Sequence, residues 1–272
     1  MINKKQIAII KKDTQAITAN KRMISVLLVV PLVMTVFLPL IFILTFQFAP
    51  EAELQEMAGM FNAAGISIGG IADGLDLTAD LRQAGIALII NYVMPLFFLL
   101  IPIMAATVMA ASAFVGEKEK KTLETLLYCP LPLKEIFGAK ILASFILSMA
   151  VTFISFVVML IAVEATVLVL SGAMVMPSIN WLIIMLLVSP SISLLAINLI
   201  VRGSAKAQSF EESQQRAVFL VLPVILLVTA QFTGIMLLSA WLLLAIGAVV
   251  AVAALLMFRG SFGKFQYETL LL

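Results

Sequence analysis

The chain contains no histidine and one cysteine among its 272 residues. The first absence excludes imidazole-based acid–base catalysis and histidine-ligated zinc; the second excludes an internal disulfide. Cys129 falls in a segment placed below on the reducing side of a membrane, where it is structurally incidental. Charge is also scarce. Asp, Glu, Lys and Arg together make up 12% of the residues, against roughly a quarter in an average soluble protein. The chain lacks a Gly-x-x-x-x-Gly-Lys-Ser/Thr run, so it offers no such cradle of backbone amides and lysine for nucleotide phosphates. What it has in quantity is apolar surface, with 63% hydrophobic residues. A soluble core cannot use that much, and six spans of about 20 residues with their connections consume most of the length. The expectation is an all-α integral membrane protein with six transmembrane helices, one domain over 1–272.

The sparse charges fix an orientation. Of the 17 Lys and Arg residues, all but Arg82 fall in four segments between apolar stretches: Lys4 to Arg22, Lys118 to Lys140, Arg202 to Arg216, and Arg259 with Lys264. Six crossings put all four on one side, which the positive-inside rule makes cytoplasmic, with both termini inside. Arg82 sits instead among Glu51, Glu53, Glu56, Asp73, Asp76 and Asp80, in the outer segment 49–83. Charges sorted by side are not gathered into a nucleic-acid patch, so no nucleic-acid partner is expected.

Span one runs from Ile24 to Phe48 and contains Pro31 and Pro39; it is too long for a signal core and has no small-x-small end, so it is expected to stay as an anchor. The outer segment suggests a short helix from Glu51 to Phe61. Span two covers Ala84 to Val115, with Pro95 and Pro102, and should continue as helix beyond the bilayer. Span three covers Ile136 to Ala162, with Glu164 at its outer end. Span four covers Trp181 to Val201 around Pro190, span five begins after Arg216, and span six ends near Phe258. The uncharged connection from Gly234 to Ala240 fits a tight hairpin or a partly re-entrant pair.

Segment 1–22 is not apolar enough to cross. Ile2, Ile9, Ile10 and Ile17 recur with nearly the same step as Lys4, Lys5, Lys11 and Lys12, which describes an amphipathic helix in the cytoplasmic interface rather than a frayed tail. Within the spans, Glu164 reads as a hydrated acid near the boundary in preference to a cation or drug site. Asn91, Asn198 and Gln231 read as interhelical hydrogen-bonding groups in preference to pathway lining. No carboxylate pair or activated nucleophile within the spans supports a membrane hydrolase. The turn 202–216 fits a second partner surface or a solvated turn equally.

The most distinctive stretch is 116–135, between spans two and three. Leu123, Leu126 and Leu127 lie at i, i+3 and i+4, while Glu117, Glu119, Lys120, Lys121 and Glu124 solvate the remaining faces, and Pro130 and Pro132 end the pattern. The residues alone fit either a short amphipathic helix tied to two spans, suited to receiving a push from a soluble partner, or a solvated loop. The order Gly116-Glu117-Lys118-Glu119, Lys121-Thr122-Leu123-Glu124-Thr125-Leu126-Leu127, Pro130-Leu131-Pro132, Lys134-Glu135-Ile136 and Gly138-Ala139-Lys140 resembles the turn after span two in ABC-type-2 exporter permeases, within them the sodium and multidrug efflux type.

That resemblance implies a coupling helix that docks on a separate ATPase subunit through Glu117, Glu119, Thr122, Leu123, Glu124, Leu126 and Leu127. It also implies two ATPase copies that bind ATP and Mg, no cofactor in this chain, and a second permease chain, identical or related. The location implied is the plasma membrane of a bacterial cell, in a lipid bilayer. Asn91, Glu164, Asn198 and Gln231 are the candidate pathway residues. A self-contained channel or ion-coupled secondary transporter is the alternative.

Overall fold

A computed structural model of the chain describes residues 4–19, 21–63, 81–119, 122, 132–172, 177–204, 207, 209–232 and 239–261. Among these residues there is no strand. The helices are α1 (Lys4–Ala19), α2 (Lys21–Phe48), α3 (Glu51–Ala63), α4 (Leu81–Glu119), α5 (Leu133–Ser171), α6 (Ile179–Gly203), α7 and α8 (Ala240–Ser261). Helix α7 consists of Phe210–Ala217, a 3-10 turn at Val218–Leu220, and Val221–Phe232. Six of the helices, α2 and α4 to α8, are long and apolar enough to cross a membrane.

Packing sorts them. In α4, 72% of the most apolar stretch is buried, and in α6 67%, whereas α2, α5, α7 and α8 bury no more than 33%. Helices α4 and α6 therefore form the centre, with α2, α5 and α7 against α4 and with α5 and α8 against α6. The outer faces of the peripheral helices carry exposed Phe37, Ile41, Phe153, Ile161, Leu226 and Val249, as lipid-facing surfaces require. Trp181 of α6, Phe98 of α4 and Phe156 of α5 meet with ring centroids 5.4 to 5.9 Å apart, closing the three-helix contact with edge and tilted packing.

Prolines shape the two central helices. Each has a π-helical turn, Ile89–Val93 in α4 and Ile184–Val188 in α6, ending just before Pro95 and Pro190 respectively. In the first, the amide of Met94 bonds to Ile89 O, one residue further back than in an α-helix. Pro95 has no N–H to offer Ile90 O, so that carbonyl loses its helical partner. The indole Nε1 of Trp181 donates to it at 3.1 Å. Asn91 O, which an α-helix would pair with residue 95, accepts instead from Asn180 Nδ2 at 3.3 Å. The Asn91 side chain completes the junction, its Oδ1 accepting from the Ser178 amide at 2.8 Å. Backbone groups that lipid could not satisfy are thus paired across the interface.

The second π turn is covered by α8. A β-carbon on Gly247 would stand 2.8 Å from Leu187 Cδ2 and 3.2 Å from Val188 Cγ2, so any larger residue there requires Leu187 to shift.

Helix α5 is longer than span three as read from sequence. It runs unbroken for 39 residues, roughly 58 Å against a hydrocarbon core of about 30 Å. It stops at Gly172, whose φ of 66° forms the left-handed cap and whose amide bonds to Leu168 O at 3.0 Å. Glu164 lies seven residues inside this helix rather than at its end. Helix α4 reaches Glu119, so the first residues of segment 116–135 continue span two as helix.

Arg82, the one basic residue out of place in the charge pattern, has a local explanation. Its guanidinium donates to Gln47 O at 3.2 Å and Ala49 O at 3.4 Å, satisfying carbonyls at the C-terminus of α2. Arg202 acts similarly on Met257 O of α8, at 2.6 Å.

Candidate functional site

The site is the base of segment 116–135, where α4 ends and α5 begins. Residues 120, 121 and 123–131 lie outside the described residues, and with them Leu123, Glu124, Leu126 and Leu127. Glu117, Glu119 and Thr122 are placed.

Two carboxylates at the C-terminus of a helix face the negative end of its dipole and need compensation. Glu117 obtains it from two lysines. Its Oε2 lies 2.6 Å from Lys140 Nζ on α5, and its Oε1 lies 3.0 Å from Lys12 Nζ on α1. Glu117 O also accepts from the Thr122 amide at 2.9 Å and the Thr122 hydroxyl at 3.3 Å, so Thr122 closes the helix end. Glu119 turns the other way. Its Oε2 accepts from the Phe210 amide at 3.3 Å, at the start of α7, where the carboxylate meets the positive end of a helix. Ser209 caps the same helix by accepting from the Glu212 amide at 3.2 Å. Residues 210–217, read from sequence as part of a turn, are therefore the first turns of α7.

Lys140 is the centre of this arrangement. Only 1% of its side chain is exposed. Besides Glu117 it donates to Ala113 O at 2.6 Å and stands 5.6 Å from the centroid of the Phe114 ring. Asp13 of α1, also buried, approaches it to 3.9 Å, close enough for Coulomb attraction but too far for a hydrogen bond. Burial pushes the Asp13 carboxyl above the usual carboxylate range; Glu117 adds to that shift, while Lys140 and Lys12 oppose it. Around the charges, Ile9 packs on Ile136 and Ala139, and Phe114 packs on Phe137 at 5.4 Å.

Sequence reasoning named neither Asp13 nor Lys140 as a site residue. The available signals were the single acid in an otherwise basic N-terminal helix, and a lysine inside the apolar start of span three.

The candidate pathway residues do not converge. Asn91 is taken up in the α4–α6 junction described above. Glu164 borders a cavity of about 10 Å³, room for one water, lined also by Ile90, Met94, Met159, Val163, Pro177 and Trp181; its Oε2 is buried with no hydrogen-bond partner among the described residues. Asn198 is wholly buried and donates to Leu194 O of its own helix at 2.8 Å. Gln231, at the far end of α7, is buried with neither side-chain polar atom hydrogen-bonded among the described residues. None of Asn91, Asn198 and Gln231 lines the Glu164 cavity.

Among known protein families, the chain matches the one described as ABC-2 family transporter protein, over residues 7–263. No curated protein and no solved structure matches.

Proposed function

The chain belongs to the ABC-2 family of transporter proteins, and from that premise we propose that it is the permease of an ATP-driven exporter, moved by a separate ATPase subunit that docks on segment 116–135. That it is a multi-pass membrane component of a transporter follows from the family and the six apolar helices. The coupling is the proposal.

The observation that carries it is the tie between Glu117 and Lys140, 2.6 Å apart across the base of the segment. A push on a loop whose two ends move independently is absorbed locally. A push on a loop whose ends are joined reaches both helices, and α4 in turn contacts α2, α5, α6 and α7. In this reading Glu117, Glu119, Thr122, Leu123, Glu124, Leu126 and Leu127 form or support the docking surface. Two ATPase copies hold ATP and Mg, a second permease chain, identical or related, completes the pathway, and the complex sits in the plasma membrane of a bacterial cell. ATP drives the switch because it binds the closed ATPase pair in preference to the open one.

The Glu164 cavity favours a second reading, an ion-coupled carrier, since an intramembrane carboxylate with a buried oxygen that has no hydrogen-bond partner among the described residues is where a coupling ion would act. Purification from the native host in mild detergent, with partner identification and ATP hydrolysis on one sample, separates them. A stoichiometric partner bearing a phosphate-binding loop supports the exporter. Repeated purification without one, combined with gradient-driven transport in vesicles lacking ATP, supports the carrier.

A further inference from the structure

We propose that Lys140 is a positioning residue that joins both ends of the coupling segment and the N-terminal helix α1 into one mechanical unit; this rests on reading segment 116–135 as the place where force enters.

Lysine is almost never fully buried unless paired, because its ammonium must leave water. Here it is 1% exposed and its contacts come from three different helices: its own α5, α4 through Glu117 and Ala113 O, and α1 through Asp13. A methionine of similar length would fill the same space without the desolvation cost, so stability alone does not account for an ammonium at this position. What the charge adds is connection. Glu117 is held by Lys140 from one side and by Lys12 from the other, so α1 is tied to α4 directly and to α5 through the same carboxylate.

The unit has defined limits. Apolar contacts of Ile9 with Ile136 and Ala139 run beside the charges, which aligns α1 along α5. Glu119, two residues beyond Glu117, bonds instead to the start of α7. Helices α1, α4 and α5 thus share the lysine, whereas α7 takes no part in the charge cluster: it meets the end of α4 through Glu119 and packs on α4 and α6 through apolar contacts. Movement of the coupling segment carries α1 with α4 and α5.

The test is a distance measurement between spin labels at two exposed positions, Gln15→Cys on α1 and Ile146→Cys on α5, in a full-length Cys129→Ser background in lipid nanodiscs. The native cluster should give one narrow distribution, unchanged when ATP is added to the assembled complex. Lys140→Met should broaden it without nucleotide. The triple variant Asp13→Asn, Glu117→Gln, Lys140→Met removes every buried charge of the cluster and leaves only the exposed Lys12, so it should keep most of the native thermal stability yet show an ATP-dependent change in the distance. A lysine that merely filled space would leave that stable variant narrow in both states.

A native distribution that shifts with ATP overturns the proposal, as does a triple variant that stays narrow throughout. Failure to find any ATPase partner overturns the reading of segment 116–135 instead, and leaves the nucleotide-free comparison of native chain and Lys140→Met to judge the tie itself.

Discussion

Lys140 and Glu117, 23 positions apart in sequence, meet at 2.6 Å between Nζ and Oε2 and close the base of the segment that separates the second and third spans. Because the ammonium is buried, losing one partner leaves a charge stranded in a poor medium. Lys140→Met should therefore destabilise the protein by about 3–5 kcal/mol, and neutralising Asp13 and Glu117 as well should recover most of that loss. Thermal unfolding in detergent, followed by size-exclusion chromatography, measures both.

A second expectation concerns pH. The Asp13 carboxyl is raised by burial, with Glu117 adding to that and Lys140 and Lys12 opposing it. A raised carboxyl contributes stability that is fully present below the ordinary carboxylate value and is lost as pH rises through the raised one. Asp13→Asn should escape that loss. Its melting temperature relative to the native chain should rise as pH increases above the ordinary carboxylate value of about 4, on the order of 2–4 °C for each kcal/mol recovered. A difference that is flat or falls with pH contradicts the assignment.

Trp181 gives a third. Its indole N–H occupies Ile90 O, a carbonyl left without a helical partner by the π turn and Pro95. Trp181→Phe keeps most of the packing and removes the donor, at a cost of about 1–3 kcal/mol. In a Pro95→Ala background the backbone regains a donor in that turn, so the same substitution should cost less. A double-mutant cycle on thermal stability reads the coupling; additivity of the two changes would contradict it.

Gly247 gives a fourth. A side chain there meets Leu187 and Val188 at the π turn of α6. Gly247→Val should destabilise by about 1–3 kcal/mol through overpacking, and Leu187→Ala should relieve part of the effect. The yield of monodisperse protein and its melting temperature report both variants.

Much of the fold could be read from the sequence. Six crossings followed from hydropathy, and Pro31, Pro39, Pro95 and Pro190 all lie inside helices that were expected to contain them. Helix ends were less legible. Span three was bounded by bilayer thickness, but nothing in the chain stops α5 there, and it continues to the left-handed cap at Gly172. The π turns escaped notice because they depend on which neighbour can pair the freed carbonyls, and Trp181 comes from a helix some 90 residues away. Arg82 broke the charge pattern until its role at the end of α2 was visible.

The site was half legible. Pattern singled out segment 116–135, and of its named residues Glu117, Glu119 and Thr122 are among the described ones. The opposite attachments of Glu117 and Glu119, to Lys140 and to the Phe210 amide, were not readable, since both arise from tertiary contacts with distant elements. The bond from the Ser178 amide to Asn91 Oδ1 likewise depends on a partner from a distant element.

The central claim is that a soluble ATPase docks on the coupling segment. The most direct measurement places a photocrosslinking amino acid at Leu126 of the tagged protein in its native host, with a matched control at Phe37, an exposed position on α2. The account predicts that light captures a subunit bearing an ATP-binding motif from Leu126 and not from Phe37, and that Leu126→Asp removes both the partner and ATP hydrolysis from the purified sample. Capture of no ATPase from Leu126, in membranes where the chain is inserted and stable, would contradict it.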